Sequence, residues 1–180
     1  LDGAKQRISF VFDNFDKIYI SFSGGKDSTV MTHLVMDEAI KRNRKVGLFF
    51  LDWECQFTIT INHIKSMYKL YEKNIYPYWV SIPIRTWNGC SSIEPEWICW
   101  DEEKKDMWVR EKEEISIKDK NFFPFYYKNM MFEEFTPLFG KWYSNNEKCA
   151  CFIGIRTQES LNRYRTVARE KPMFDAKPWT

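Results

Sequence analysis

The stretch Ser21–Ser28 reads SFSGGKDS, and its residue types are those of an anion cradle. Gly24 and Gly25 permit backbone angles closed to other residues and let a ligand approach the main chain. A helix begins near Asp27–Ser28, and its unpaired N–H groups favour negative charge. Ser23 and Ser28 offer hydroxyl hydrogens, Lys26 offers a positive charge, and Asp27 either links to a metal ion or caps the helix. The residue order differs from GxxxxGKS/T and from GxGxxG, so neither of those loops is implied.

A second candidate is GIRTQESLNR, Gly154–Arg163. An arginine such as Arg156 clamps phosphate or sulfate oxygens with two parallel N–H bonds. Arg163 follows two helical turns later and can share that face. Glu159 either orders the arginines or caps the helix, and Ser160 and Gly154 complete the set. A third candidate is Asp52 with Glu54 in FLDWECQF. Two carboxylates near a polyphosphate hold Mg²⁺ or a ribose hydroxyl, unless they only cap the next helix. Lys26, Asp27 and Arg156 are the candidate catalytic groups. His33 and His63 both fall on helices, where a hydrogen-bonded structural histidine is the ordinary reading.

These residues need elements to position them. Apolar spacing predicts a helix over 2–16, a strand at Lys17–Phe22, a helix at Ser28–Arg42 and a strand at Lys45–Leu51. Phe57, Ile61, Ile64, Tyr68 and Tyr71 mark another helix, and Tyr78–Ile82 a third strand closed by Pro83. Residues 84–130 break the rhythm and read as an irregular, aromatic-rich insertion with one short helix. Helical spacing returns over 131–143, where Pro137 must start a new turn or kink the segment. Cys149–Ile155 is a fourth strand and 158–168 a last helix. Alternating strands and helices predict an α/β fold, a parallel sheet between helical layers. In strand order 3-2-1-4, the first and fourth strands are neighbours and a crevice opens at their carboxyl ends. The glycine turn and Arg156 would both face it.

SGGKDS resembles the PP-loop of the adenine-nucleotide alpha-hydrolase-like (HUP) superfamily. That superfamily includes N-type ATP pyrophosphatases, phosphoadenosine phosphosulfate (PAPS) reductases and the small subunits of ATP sulfurylase. GIRTQESLNR is similar to a segment of the PAPS reductase branch, and FLDWECQF lies where that branch carries an Asp after its second strand. EPEWICW (Glu94–Trp100), FPFY, FEEF and the final KPWT look closer still to the immunoglobulin-binding regulator A proteins, described as co-activators of prophage gene expression. The resemblance covers nearly the whole chain. It implies one nucleotide-binding domain over 1–180, ATP or PAPS as ligand, a nucleotide-site role for Asp52, and chemistry at the phosphate or sulfate group by a PP-loop transferase or reductase. An ATP-dependent sulfurtransferase or adenylating enzyme is the nearest alternative. A regulator that keeps the site as a sensor, with a ParB-like protein partner and DNA association left open, is the other.

Composition narrows the class. The chain has 180 residues, 44% hydrophobic and 29% charged, with only 7 Gly and 7 Pro, which excludes a disordered or collagen-like chain. Aromatics reach 18%, a sign of stacking or of thick aromatic packing. The +2 net charge exerts no whole-molecule pull on nucleic acid or membrane. The longest apolar run, Val46–Leu51, is too short to span a bilayer, and early charges such as Asp2, Lys5 and Arg7 exclude a signal-peptide core. Five Cys without a CxxC pair read as reduced cytoplasmic thiols, and no counterpart exists to the iron–sulfur Cys pairs of adenylylsulfate reductases. A start without Met and an end at Pro-Trp-Thr read as a piece of a longer protein.

Overall fold

The computed structural model describes residues 1–156, 158, 160–170, 173–174 and 177–178. Helix α1 (Asp2–Asn14) precedes strand β1 (Lys17–Ser21). Helix α2 (Lys26–Lys41), strand β2 (Val46–Leu51), helix α3 (Thr58–Leu70) and strand β3 (Ile75–Val80) follow. The insertion then leads to helix α4 (Phe132–Tyr143), strand β6 (Cys149–Ile153) and helix α5 (Leu161–Glu170). The four parallel strands lie in the order β3-β2-β1-β6, so the fourth strand of the sheet sits beside the first, the 3-2-1-4 order that the resemblance implies.

Each face of the sheet carries its own core. On one, Val46, Leu48 and Phe50 of β2 meet Val35, Met36 and Ala39 of α2 and Ile61, Ile64 and Tyr68 of α3. On the other, Phe49 and Leu51 meet Phe135 and Phe139 of α4 and Trp100 and Phe123 of the insertion. Because β2 is buried on both faces, its sequence is a continuous apolar run rather than an alternation. Gly47 breaks that run for a reason. A side chain there would come within 2.9 Å of Tyr19 Cβ and 3.0 Å of the Tyr143 ring. Tyr143 uses the space, donating its hydroxyl to Ile18 O (2.8 Å) and accepting from Gly47 N–H (3.1 Å). Arg44 ties the end of α1 down, donating to the carbonyl of Phe12 in its last turn and to those of Phe15 and Asp16 just beyond it.

Four expectations need correction. The third strand spans Ile75–Val80 rather than Tyr78–Ile82. Pro77 is tolerated because β3 is the last strand of the ladder and the missing N–H falls on its outer side. On that side Ile117 of the insertion pairs with Trp79 and Ser81 instead. The insertion is also less irregular than its composition: β4 (Ile84–Trp87) and β5 (Glu96–Cys99) form an antiparallel hairpin, followed by 3₁₀ turns at Glu102–Met107 and Lys120–Phe122. Strands of four residues are too short to show a period. Helix α4 runs through Pro137 without a new start. Pro137 and Glu133 lie on its exposed side, where water can take the carbonyl that loses its N–H. The last helix begins at Leu161 rather than at 158, its first turn capped by Ser160 Oγ, which accepts from Arg163 N–H (3.2 Å). Among the described helices none is long and apolar enough to cross a membrane.

Candidate functional site

The glycine turn leaves the carboxyl end of β1 and runs into the amino terminus of α2. Gly24 takes φ +75, the left-handed region that glycine enters freely. It is required on a second count, because a side chain there would sit 2.9 Å from Ile64 and 3.0 Å from Thr60 of α3. Gly25 is the residue before the helix, in extended conformation. Its carbonyl accepts from Thr29 N–H (2.9 Å), Thr29 Oγ1 (2.8 Å) and Ser28 Oγ (3.0 Å). Since Ser28 gives its proton to Gly25 O, the 3.0 Å contact between the Ser23 and Ser28 hydroxyls has Ser23 as donor. Ser23 in turn accepts from Gly25 N–H (3.3 Å). Both serine hydroxyls are thus occupied in a ring that shapes the turn. The donors that helix geometry leaves over for an anion are the N–H groups of Lys26, Asp27 and Ser28. The Lys26 side chain is exposed beside them.

Strand β6 brings the second segment alongside. Ser21 pairs with Ile153, so Gly154–Arg156 continue abreast of the turn. A side chain on Gly154 would come 2.8 Å from Ser28 N and 2.9 Å from Ser28 Cα, so only glycine allows this approach of β6 to the helix end. Arg156 Nε then lies 2.9 Å from Asp27 Oδ2. An aspartate in the first turn of α2 therefore holds the guanidinium at the mouth of the cradle, half-exposed. Ser160, the cap of α5, and Arg163 in its first turn lie beyond it, both exposed. Glu159 lies outside the described residues.

Asp52 and Glu54 stand at the end of β2 but turn toward the insertion. Asp52 is fully buried. Its carboxylate accepts from Trp79 Nε1 (2.9 Å), Ser81 Oγ (3.2 Å) and Glu54 N–H (2.9 Å), and it pairs with Arg110. Glu54 accepts from Trp100 N–H (2.7 Å) and Val109 N–H (3.3 Å). Glu54 (φ +67) and Trp100 (φ +57) are both left-handed, and these bonds hold the two strained residues together. Donor sets so fully engaged by protein groups do not fit a magnesium ion, and among the described residues no group of three or more His, Cys, Asp or Glu side chains could hold a metal. Trp100 is buried, its indole N–H on Asp52 O (2.7 Å), and so belongs to the core rather than to a cover over a base.

Residues 17–173 match the family described as phosphoadenosine phosphosulfate reductase domain. The chain belongs to that family. It is also 40% identical over its whole length to the uncharacterized protein YbdN of Escherichia coli (strain K12), of which it spans 45%. Membership of a PAPS reductase family supports a nucleotide-related function for the domain.

Thiols are the other chemistry to look for in a PAPS reductase domain. Cys99 is buried, and burial pushes its pKa up to about 12. Cys151 is exposed as a residue, yet desolvation of its thiol beside Tyr19 raises it to about 11. Cys55, three residues past Asp52, is raised by burial and then by the charges of Glu54 and Asp52. Cys149 is raised by burial as well. Thiols held protonated are weak nucleophiles. Two residues of the loop's surroundings escape the sequence reading. Thr29 stands just outside SGGKDS and bonds back to Gly25. His63 carries no motif at all, yet its Nε2 lies 2.9 Å from Thr29 Oγ1. His33, nearer in sequence, bonds Tyr71 instead.

Proposed function

We propose that this domain binds an adenine nucleotide, ATP or PAPS, with its phosphate or sulfate group on the Ser23–Ser28 turn, and that its chemistry is directed at that group. The observation that carries the reading is the convergence on one helix end of Gly24, Gly154 and the Asp27-held Arg156. The first-turn N–H groups supply aligned donors, Arg156 a movable charge, and Lys26 a second positive charge. Such a site acts by positioning and charge neutralisation rather than by a covalent intermediate. Asp52 and Glu54 act on it indirectly, by fixing the loop after β2. Calorimetry with ATP, PAPS and AMP tests the reading. Binding of ATP or PAPS that is lost in Gly25→Val and weakened in Arg156→Ala supports it; a folded protein that binds none of the three refutes it.

Within the family we place the chain nearest the immunoglobulin-binding regulator A proteins, on the strength of EPEWICW and its companion segments. The raised thiols of Cys55, Cys99, Cys149 and Cys151 favour a domain that binds its nucleotide without chemistry at those four, as a regulator using the site as a sensor would. A ParB-like partner belongs to this reading by resemblance only. An ATP-dependent sulfurtransferase needs a cysteine acting with the site, and alkylation of Cys55 that abolishes turnover would favour it instead.

A further inference from the structure

Helix α3 supports the cradle along one stripe. Thr60, His63 and Ile64 stand at i, i+3 and i+4, a single helix face. Thr60 and Ile64 lie under Gly24, close enough to forbid a side chain there. His63 touches the turn differently, through the Thr29 hydroxyl. Thr29 Oγ1 lies 2.8 Å from Gly25 O and 2.9 Å from His63 Nε2. A hydroxyl has one proton and a carbonyl only accepts, so that proton goes to Gly25 O. His63 must therefore carry its hydrogen on Nε2 and donate it to Thr29. The ring is steadied from its side by Phe22, with centroids 6.1 Å apart.

The chain of bonds ends at a peptide unit that matters. In a trans peptide the carbonyl and the following N–H point in opposite directions. Drawing Gly25 O inward with three donors therefore turns the Lys26 N–H outward, toward the mouth of the cradle. We propose that His63 is a positioning residue of the anion site, holding through Thr29 the Gly25–Lys26 peptide whose N–H meets the bound phosphate or sulfate. The inference rests on the nucleotide reading above and adds the residue that fixes its geometry. His63 is separated from the turn in sequence by α2, β2 and the loop that follows, so only the tertiary fold brings it there.

The test compares affinities for ATP, PAPS and inorganic pyrophosphate by calorimetry. His63→Phe keeps a ring against Phe22 but loses the donor, and it should weaken binding roughly five- to tenfold. His63→Gln places an amide N–H near the same point and should restore affinity to within about twofold. Thr29→Val should weaken binding like His63→Phe, and the two together should lose no more than either alone, the mark of one shared relay. If the unsubstituted protein binds none of the three probes, the nucleotide reading has failed. If it binds and His63→Phe binds equally well, or His63→Gln is as weak as His63→Phe, the positioning role is overturned. Should His63→Phe not fold, Thr29→Ser against Thr29→Val reads the same relay, since serine keeps the hydroxyl: equal affinities of those two would overturn it.

Discussion

Two residues carry opposite kinds of risk. Arg156 is half-exposed, and on the proposed reading it serves binding rather than packing, so its loss should leave the fold intact. Removing a charge-assisted bond to phosphate or sulfate should cost about 1.5–3 kcal/mol of affinity in Arg156→Ala, with thermal stability unchanged. Asp27→Asn should weaken the same binding less, because it releases Arg156 from its 2.9 Å partner without removing it. Full affinity in both variants by calorimetry would remove Arg156 from the site. Gly24 is the reverse. Any side chain there must take φ +75 and press on buried Ile64. Gly24→Ala should lose about 1–3 kcal/mol of folding stability in urea titration. Gly25, at an ordinary φ of −77, is therefore the cleaner position at which to close the cradle.

At the scale of elements, the insertion is fastened by charge. Asp52 joins β2 to Arg110, whose side chain is only 17% exposed and whose guanidinium lies 5.0 Å from the Trp100 ring. Asp52→Ala would strand that guanidinium without its carboxylate and free the Trp79 and Ser81 donors. Breaking one side of a buried pair typically costs about 3–5 kcal/mol. The loss should appear in urea unfolding followed by tryptophan fluorescence, with faster amide exchange in residues 84–117. A loss under about 1 kcal/mol would show that the hairpin is held by its apolar contacts alone. Tyr143 fastens α4 to the sheet in the same manner. Tyr143→Phe leaves Gly47 N–H and Ile18 O without that partner and should cost about 1–3 kcal/mol.

For the whole molecule, the buried acids set how the fold responds to alkali. Cys99 rises from 9.0 to about 12 in the folded state, by burial first. The unfolded chain therefore releases this proton first. Its contribution to stability is full below about pH 9 and is lost as pH climbs toward 12, by up to about 1.4 kcal/mol per pH unit. Tyr68, which burial raises well above 10, adds to the slope at higher pH. Urea midpoints should fall between pH 9 and 10.5 and stay level from 7 to 8.5, and Cys99→Ala should fall less steeply. With four of the five thiols raised, at Cys55, Cys99, Cys149 and Cys151, this chain alone is not expected to release sulfite from PAPS with a thioredoxin system. Turnover near 1 s⁻¹, the low end of ordinary enzyme rates, would show that one of the five cysteines is active after all.

The sequence by itself determined the order of elements, the parallel sheet and the glycine turn, because each is a local or periodic signal. Three-residue spacing, continuous apolar strands and SGG are visible without knowing what lies across from them. The position of Arg156 beside the turn was legible too, since a segment closing a strand next to β1 must end there. What Asp52 and Glu54 do was not legible. Their partners Arg110, Trp100 and Val109 are supplied by an insertion whose four-residue strands leave no period to read. The contact of His63 with Thr29 was beyond reach for a like reason, as it depends on how α3 packs against α2. Local chemistry fixes which groups are available, and tertiary packing decides which of them have already been paired before a ligand arrives.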